Sequence, residues 1–182
     1  MADDSLFDVQ LVTPERILVS GPASEVILRT GDGDASFLAG HTPLVGTVQP
    51  GVLRVVRPEG QVELVAVHGG FVQVEKQLVD DEGPGGAPAP VLTGGTRVTL
   101  LIGVAELAEE IDAARARAAL EAAEARVAEL GGAGGRGSGS GSGAGEGEEP
   151  DADVVEAEAA LLRAQVRLEA VDASVGVTAS TA

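Results

Sequence analysis

Apolar positions repeat every three or four residues over two long stretches of the C-terminal half, and every second residue over short stretches of the N-terminal half. From Val104 to Leu130 the run VAELAEEIDAARARAALEAAEARVAEL spans 27 residues without Gly or Pro and is dominated by Ala, Glu, Arg and Leu, all strong helix formers. Val104, Leu107, Ile111, Ala114 and Ala118 fall on one side of such a helix, and Ala113, Ala116, Leu120, Ala123, Val127 and Leu130 form a second, offset stripe. A helix apolar on two sides has to pack against two neighbours. Asp151–Asp172 predicts a second helix with a cleaner stripe of Val154, Ala157, Leu161, Ala164, Leu168 and Val171; Pro150 and Asp151 supply its stop and N-cap.

Before Gly103 the period shortens to two. Phe7, Val9 and Leu11 alternate with Asp8 and Gln10, the pattern of a half-buried strand. A turn at Thr13–Arg16 leads to two short strands, Ile17–Ser20 and Ser24–Arg29, broken at Gly21-Pro22. Gly31–Gly46 reads as loop and strand. Gly51–Arg57 and Gln61–Val67 flank the hairpin signal Pro58-Glu59-Gly60, and Phe71–Glu75 and Thr96–Ile102 follow. Short strands at this spacing indicate a β-sandwich or barrel. The fold class is therefore α+β: a β-domain over residues 1–103, then a helical pair over 104–172, with a disordered tail over 173–182.

Two stretches lack either period. Residues 80–95, rich in Gly and Pro, predict an exposed loop. Residues 131–150, GGAGGRGSGSGSGAGEGEEP, have the composition of a flexible coil, with a root-mean-square span of about 25 Å. Lengthening a four-residue turn to this tract adds about 1.4 kcal/mol of closure entropy, so the two helices are expected to pair less firmly than in a tight hairpin.

Charge and composition then exclude several functions. The formal net charge is −17, with 13 acids against 6 bases in residues 1–103 and 16 against 6 in residues 104–182. Nucleic acid is an unfavourable partner for such a surface, and so is anionic lipid. Without cysteine there is no disulfide, thiolate nucleophile or zinc–sulfur site. No apolar run approaches the ~20 residues that span a bilayer, and MADDS is no signal peptide, so a soluble intracellular protein is expected. The two histidines, His41 and His68, lie in no catalytic or metal-binding spacing and are expected to be structural or interfacial. Gly31-x-Gly33 is a loop fragment and no P-loop is present. No active site is legible, and the chain reads as a non-enzyme.

The order of four segments resembles the epsilon subunit of F-type ATP synthases. They are Val9–Arg16 (VQLVTPER), Gly33–Val45 (GDASFLAGHTPLV), Pro50–Val55 with Gly69–Val74 (PGVLRV and GGFVQV), and Glu109–Ala116 (EEIDAARA). The resemblance implies an N-terminal antiparallel β-sandwich followed by a C-terminal two-helix hairpin, here with a Gly/Ser-rich insertion. This chain departs from the family at Ala39, where Pro is usual, and at Ser36-Phe37, where Gly-Ile is usual. It also has an insertion around residues 80–95 and the Gly/Ser tract in place of the hairpin turn. The implied role is a central-stalk subunit that binds gamma and the c-ring beneath the alpha/beta head. It would help couple proton-driven rotation to ATP synthesis and restrain ATP hydrolysis through its helices. The implied location is peripheral, on the cytoplasmic face of the cell membrane. A free-standing nucleotide-sensing or adaptor module serving another assembly is the alternative.

Two sets of residues are implied by that resemblance. Asp34, His41 and Leu44 match the loop that rests on the c-ring; the residues alone support equally a sandwich loop held by Gly40 and Pro43. Ile111, Asp112, Arg115 and Ala116 match an ATP-binding I/L-D-x-x-R-A motif of some bacterial members, and Arg163 and Arg167 match its two second-helix arginines. Both guanidiniums, spaced i,i+4, could reach one polyphosphate. Alternatively Asp112 and Arg115 form an ordinary i,i+3 helix pair, and the two arginines pair with acids such as Glu156 and Glu158. A further basic position of the family falls on Ala122, so any ATP is expected to be weakly held and regulatory.

Overall fold

The computed structural model describes residues 5–76, 95–134 and 151–180. The loop expected at 80–95 lies outside those residues except for Gly95, and so does most of the Gly/Ser tract. Ten strands come first: β1 (Phe7–Val12), β2 (Ile17–Ala23), β3 (Glu25–Thr30), β4 (Gly33–Phe37), β5 (Leu44–Val48), β6 (Gly51–Val56), β7 (Val62–Val67), β8 (Gly70–Lys76), β9 (Thr96–Ile102) and β10 (Ala105–Leu107). Two helices come after them, α1 (Ala113–Gly134) and α2 (Ala152–Ser180).

The strands make two five-stranded layers. One runs β4-β3-β6-β7-β10 and the other β5-β8-β9-β1-β2; they join where Thr30 meets Val48. Pairing is antiparallel except between β1 and β9, which run parallel. Alternation sends Phe7, Val9, Leu11, Val72, Val98 and Leu100 from one layer, and Val26, Leu28, Leu53, Val55, Val65 and Val67 from the other, into one shared core. Two facing layers that bury alternate residues make a sandwich. The Gly33–Val45 segment of the family resemblance carries β4, a turn and the start of β5.

Arg57 clamps the layers together at one side. Its Nε and Nη2 donate to Glu63 at 2.8 and 2.9 Å, while Nη1 and Nη2 donate to the carbonyls of Pro22 and Ser20 at 3.0 and 3.3 Å. The carbonyls lie on β2, in the other layer. That strand runs unbroken through Gly21-Pro22, where a break was expected, because as the edge strand β2 needs no N–H from Pro22 for a further neighbour.

The helix expected from Val104 starts nine residues later. Ala105–Leu107 instead pair with Val65–Val67, and a 3-10 turn spans Ala108–Glu110. Helix propensity is a weak prior, and here an open strand edge outweighs it. α1 then continues through Gly134, so the first four residues of the expected coil are helical. α2 continues to Ser180, so the tail expected to be disordered from Ala173 is helical over its described part. Ala173 packs against the seam between helix and sandwich, which gives the extension an apolar anchor.

That seam lies on the outer face of the β6–β7 pair. Leu64 and Ala66 of β7 are buried with Ala108, Val166 and Ala170, and Val52, Val62 and Ile111 pack around them. Between the helices the buried residues are alanines: Ala116, Ala123, Ala157 and Ala164. Small side chains let helix axes approach to about 8 Å.

Gly70 marks the tightest backbone approach. Its φ is 155°, and a Cβ there would collide with the Leu101 carbonyl oxygen and the Ile102 side chain on the paired strand. Gly70→Ala should lower stability by about 2 kcal/mol or more, a Tm loss of several degrees in thermal denaturation.

Candidate functional site

Among the expected nucleotide residues, Ile111, Asp112, Ala116 and Arg167 each have a structural task. Asp112 is the N-cap of α1 and not a member of the helix. Its Oδ1 accepts from the backbone N–H groups of Ala114 at 2.9 Å and Arg115 at 3.0 Å. It therefore forms no side-chain pair with Arg115, and the expected i,i+3 ion pair is replaced by a cap. Ile111 packs into the seam and Ala116 is buried against α2.

Arg167 is committed elsewhere. Its Nε donates to both oxygens of Glu106 at 3.0 and 3.1 Å, and Nη2 also donates to Oε1. This fork ties α2 to β10 between groups only 31% and 33% exposed. Neither Glu156 nor Glu158 pairs with Arg167 or Arg163; both acids point to solvent. Arg163, half-buried, and Arg115, exposed, make no ion pair among the described residues.

His68 completes the cluster. It ends the outward-facing row Leu64, Ala66, His68, and both ring nitrogens are buried without a hydrogen-bond partner among the described residues. Burial is the largest influence holding its pKa below the ordinary histidine value; the Arg167 guanidinium lowers it further, Glu106 opposes, and Arg163 adds to the depression. Glu106 is the member that sequence reasoning missed, while His68 was expected to be structural or interfacial. Glu106 sits in a three-residue strand too short to show a period, and only the covering helix gives His68 its environment.

Two grooves flank α2. One, of about 750 Å³, lies between α2 and β3–β6 and is lined by Arg29, Asp34, Arg54, Gln165, Glu169 and Asp172 among others. The other, of about 760 Å³, lies beside Arg57, Glu63, Leu107 and Ser174. Neither is lined by Ile111, Asp112, Arg115, Ala116, Arg163 or Arg167.

The Asp34–Leu44 segment divides. Asp34 lies at the start of β4, paired with Arg29 at 3.3 Å and facing the first groove. His41 lies beyond the far end of β4, about 10 Å of strand from Asp34 to Phe37 plus a turn. There its ring rests against Phe37 at a centroid distance of 5.0 Å, and Nδ1 is 2.8 Å from the Thr42 carbonyl. The Gly40 N–H donates to the buried Thr96 hydroxyl at 2.8 Å and anchors the turn. Leu44 begins β5, half-buried against the core.

The two layers differ in what covers them. On the outer face of the β5-β8-β9-β1-β2 layer, strand register aligns Thr47, Phe71, Leu101, Val12 and Ile17 in one row. Phe71, Leu101 and Ile17 are 57%, 48% and 58% exposed. No described helix is long and apolar enough to cross a membrane.

A β-sandwich with one long helix laid on one sheet, a second helix packed on the first, and no described element over the other sheet defines the class of fold. Two family models match this chain in order: "ATP synthase, Delta/Epsilon chain, beta-sandwich domain" over residues 6–80 and "ATP synthase, Delta/Epsilon chain, long alpha-helix domain" over residues 109–172. The ATP synthase epsilon chain of Desulforudis audaxviator is 42% identical over 120 residues, covering 66% of this chain and 73% of its own. That of Symbiobacterium thermophilum is 36% identical over 174 residues, covering 95% and 96%. A chain in the cryo-EM structure of the Euglena gracilis mitochondrial ATP synthase OSCP/F1/c-ring shares the fold with a TM-score of 0.55 at 21% identity, covering 96% of this chain and 82% of that one. The chain belongs to the epsilon-chain family of F-type ATP synthases.

The Arg167–Glu106 fork should hold α2 on the sandwich. Arg167→Ala leaves Glu106 half-buried and unpaired, and should weaken docking by about 1–3 kcal/mol, read as faster hydrogen exchange in α2 with β-strand protection unchanged. Asp112→Ala removes the cap and should cost about 1 kcal/mol in denaturant unfolding.

Proposed function

We propose that the chain is a non-catalytic central-stalk subunit of an F-type ATP synthase, docking through the bare sheet of its sandwich on the gamma subunit. The observation that carries this reading is the row Phe71, Leu101, Val12 and Ile17. An exposed apolar row with Val45 beside it on the same face, opposite the sheet that α2 covers, is what a protein partner buries. The turn carrying His41, with Leu44 beside it, offers a second contact toward the c-ring at the end of the sandwich. Asp34, beneath the hairpin side, belongs to that contact less directly. Position at the cytoplasmic face of the membrane follows from the assembly and not from any lipid contact of this chain.

In the same reading the hairpin regulates ATP hydrolysis as a two-state element, folded on the sandwich or released toward the alpha/beta head. The seam supports this because its buried set is small: Leu64, Ala66, Ala108, Val166 and Ala170. At roughly 1.5–3 kcal/mol for a fully buried Val or Leu and less for each Ala, docking is worth a few kcal/mol, a range that partner binding can reverse. ATP enters as a weak effector of this element. Arg115 and Arg163 are available to a polyphosphate, whereas Arg167 would first have to leave Glu106.

Phe71→Glu with Ile17→Glu, at well-separated exposed positions of the row, should abolish co-purification with the alpha, beta and gamma chains while leaving the variant's Tm within about 2 °C, since both side chains face solvent. Undiminished co-purification would contradict the docking face. In calorimetry, saturable ATP binding at near-millimolar strength that is lost in both Arg115→Ala and Arg163→Ala supports the nucleotide reading; absence of heat at millimolar ATP removes it and leaves the stalk reading intact.

A further inference from the structure

We propose that His68 is an acid-sensitive catch for α2: neutral, it is tolerated beneath the helix, and a proton on its ring releases the helix from the sandwich. The reading concerns the free chain and does not depend on which partner the sandwich binds.

Three observations place the catch. His68 lies at the end of β7 on the face that α2 covers, in line with the buried Leu64 and Ala66. Its ring nitrogens are enclosed and find no hydrogen-bond partner among the described residues, so the docked state offers an imidazolium no acceptor for either N–H. The charged groups facing it are Arg163 and Arg167 from α2 and Glu106 from β10. Glu106 is the single acid of the set; the Arg167 fork engages both of its oxygens, and neither His68 ring nitrogen is within hydrogen-bond reach of them. A third cation there must either remain unsatisfied beside two guanidiniums or break the fork that fastens the helix. Both routes favour release, and release returns His68 to water.

The pH window is set by the direction of the shift. Burial first, then Arg167, hold the docked His68 below the ordinary value of about 6.5, so the released state binds the proton more readily. Docking is therefore at full strength above about pH 6.5. It weakens as pH falls through that value, by up to about tenfold per pH unit, and levels off below the lowered pKa of the docked state. His41 does not share this position, since it lies on the turn after β4.

The chain has no cysteine, so Glu59→Cys in the exposed β6–β7 turn and Glu158→Cys on the exposed side of α2 can carry a donor and an acceptor dye on the full-length protein. Transfer efficiency measured from pH 8.0 to 5.5 should report a growing released population below pH 6.5. The same protein with His68→Gln, which keeps the side chain polar but cannot be protonated, should show a flat profile across that range. Arg163→Ala, which keeps His68 and removes one opposing cation, should reduce the response; it serves as the second variant if His68→Gln does not fold. A wild-type profile flat to pH 5.5, an undiminished response in His68→Gln, or a response unchanged in Arg163→Ala overturns the proposal.

Discussion

The short pairing of Ala105–Leu107 with the edge of β7 is the constraint on which the rest of the C-terminal half depends. It delays α1 until Asp112 can cap it, and places Ala108 and Ile111 against the outer face of the sheet. It also holds Glu106 outward at the position where Arg167 meets it. Were the chain helical from Val104, as its composition favours, Glu106 would lie on a helix surface and the fork would have no fixed partner. A single short strand thus decides where both helices lie.

Small side chains set how firmly those helices are held. They meet each other and the sheet through alanines and a few valines and leucines, with no Phe among the described residues of the seam. Little apolar area is buried per residue, so polar and charged groups at the seam weigh more than they would in a larger core. The sandwich is the opposite case: a closed set of Phe, Leu, Ile and Val from both layers, clamped by Arg57. The molecule joins a firm platform to a lightly held arm, which suits a subunit whose platform stays docked while its arm moves.

Much of this was legible in the sequence where one face of an element meets a single environment. Alternation at Phe7, Val9 and Leu11, or at Val98, Leu100 and Ile102, reports a strand because each second residue enters the same core. The stripe of Ala157 and Ala164 reports α2 for the same reason. The failures are tertiary. The strand at Ala105–Leu107 is shorter than two periods and is made of residues that favour helix; only the open edge of β7 explains it. β2 crosses Gly21-Pro22 because an edge strand tolerates a missing donor. The family motif singled out Asp112 and Arg167, but the fork that holds Arg167 depends on Glu106, which no spacing could single out. His68 was legible as structural or interfacial, but only the helix above it shows what surrounds its ring.

The central claim is that the bare sheet is the docking face, and one residue reports on it directly. Of the three phenylalanines, Phe7 and Phe37 are 0% and 2% exposed, while Phe71 is 57% exposed at one end of the apolar row. Hydroxyl-radical footprinting of the free chain and of the chain within its assembly, read at Phe71 by mass spectrometry, makes the comparison. Strong oxidation of Phe71 in the free chain that falls at least several-fold in the assembly is the predicted result. Equal oxidation in both would show that the row remains open to water when the subunit is in place, and would contradict the account.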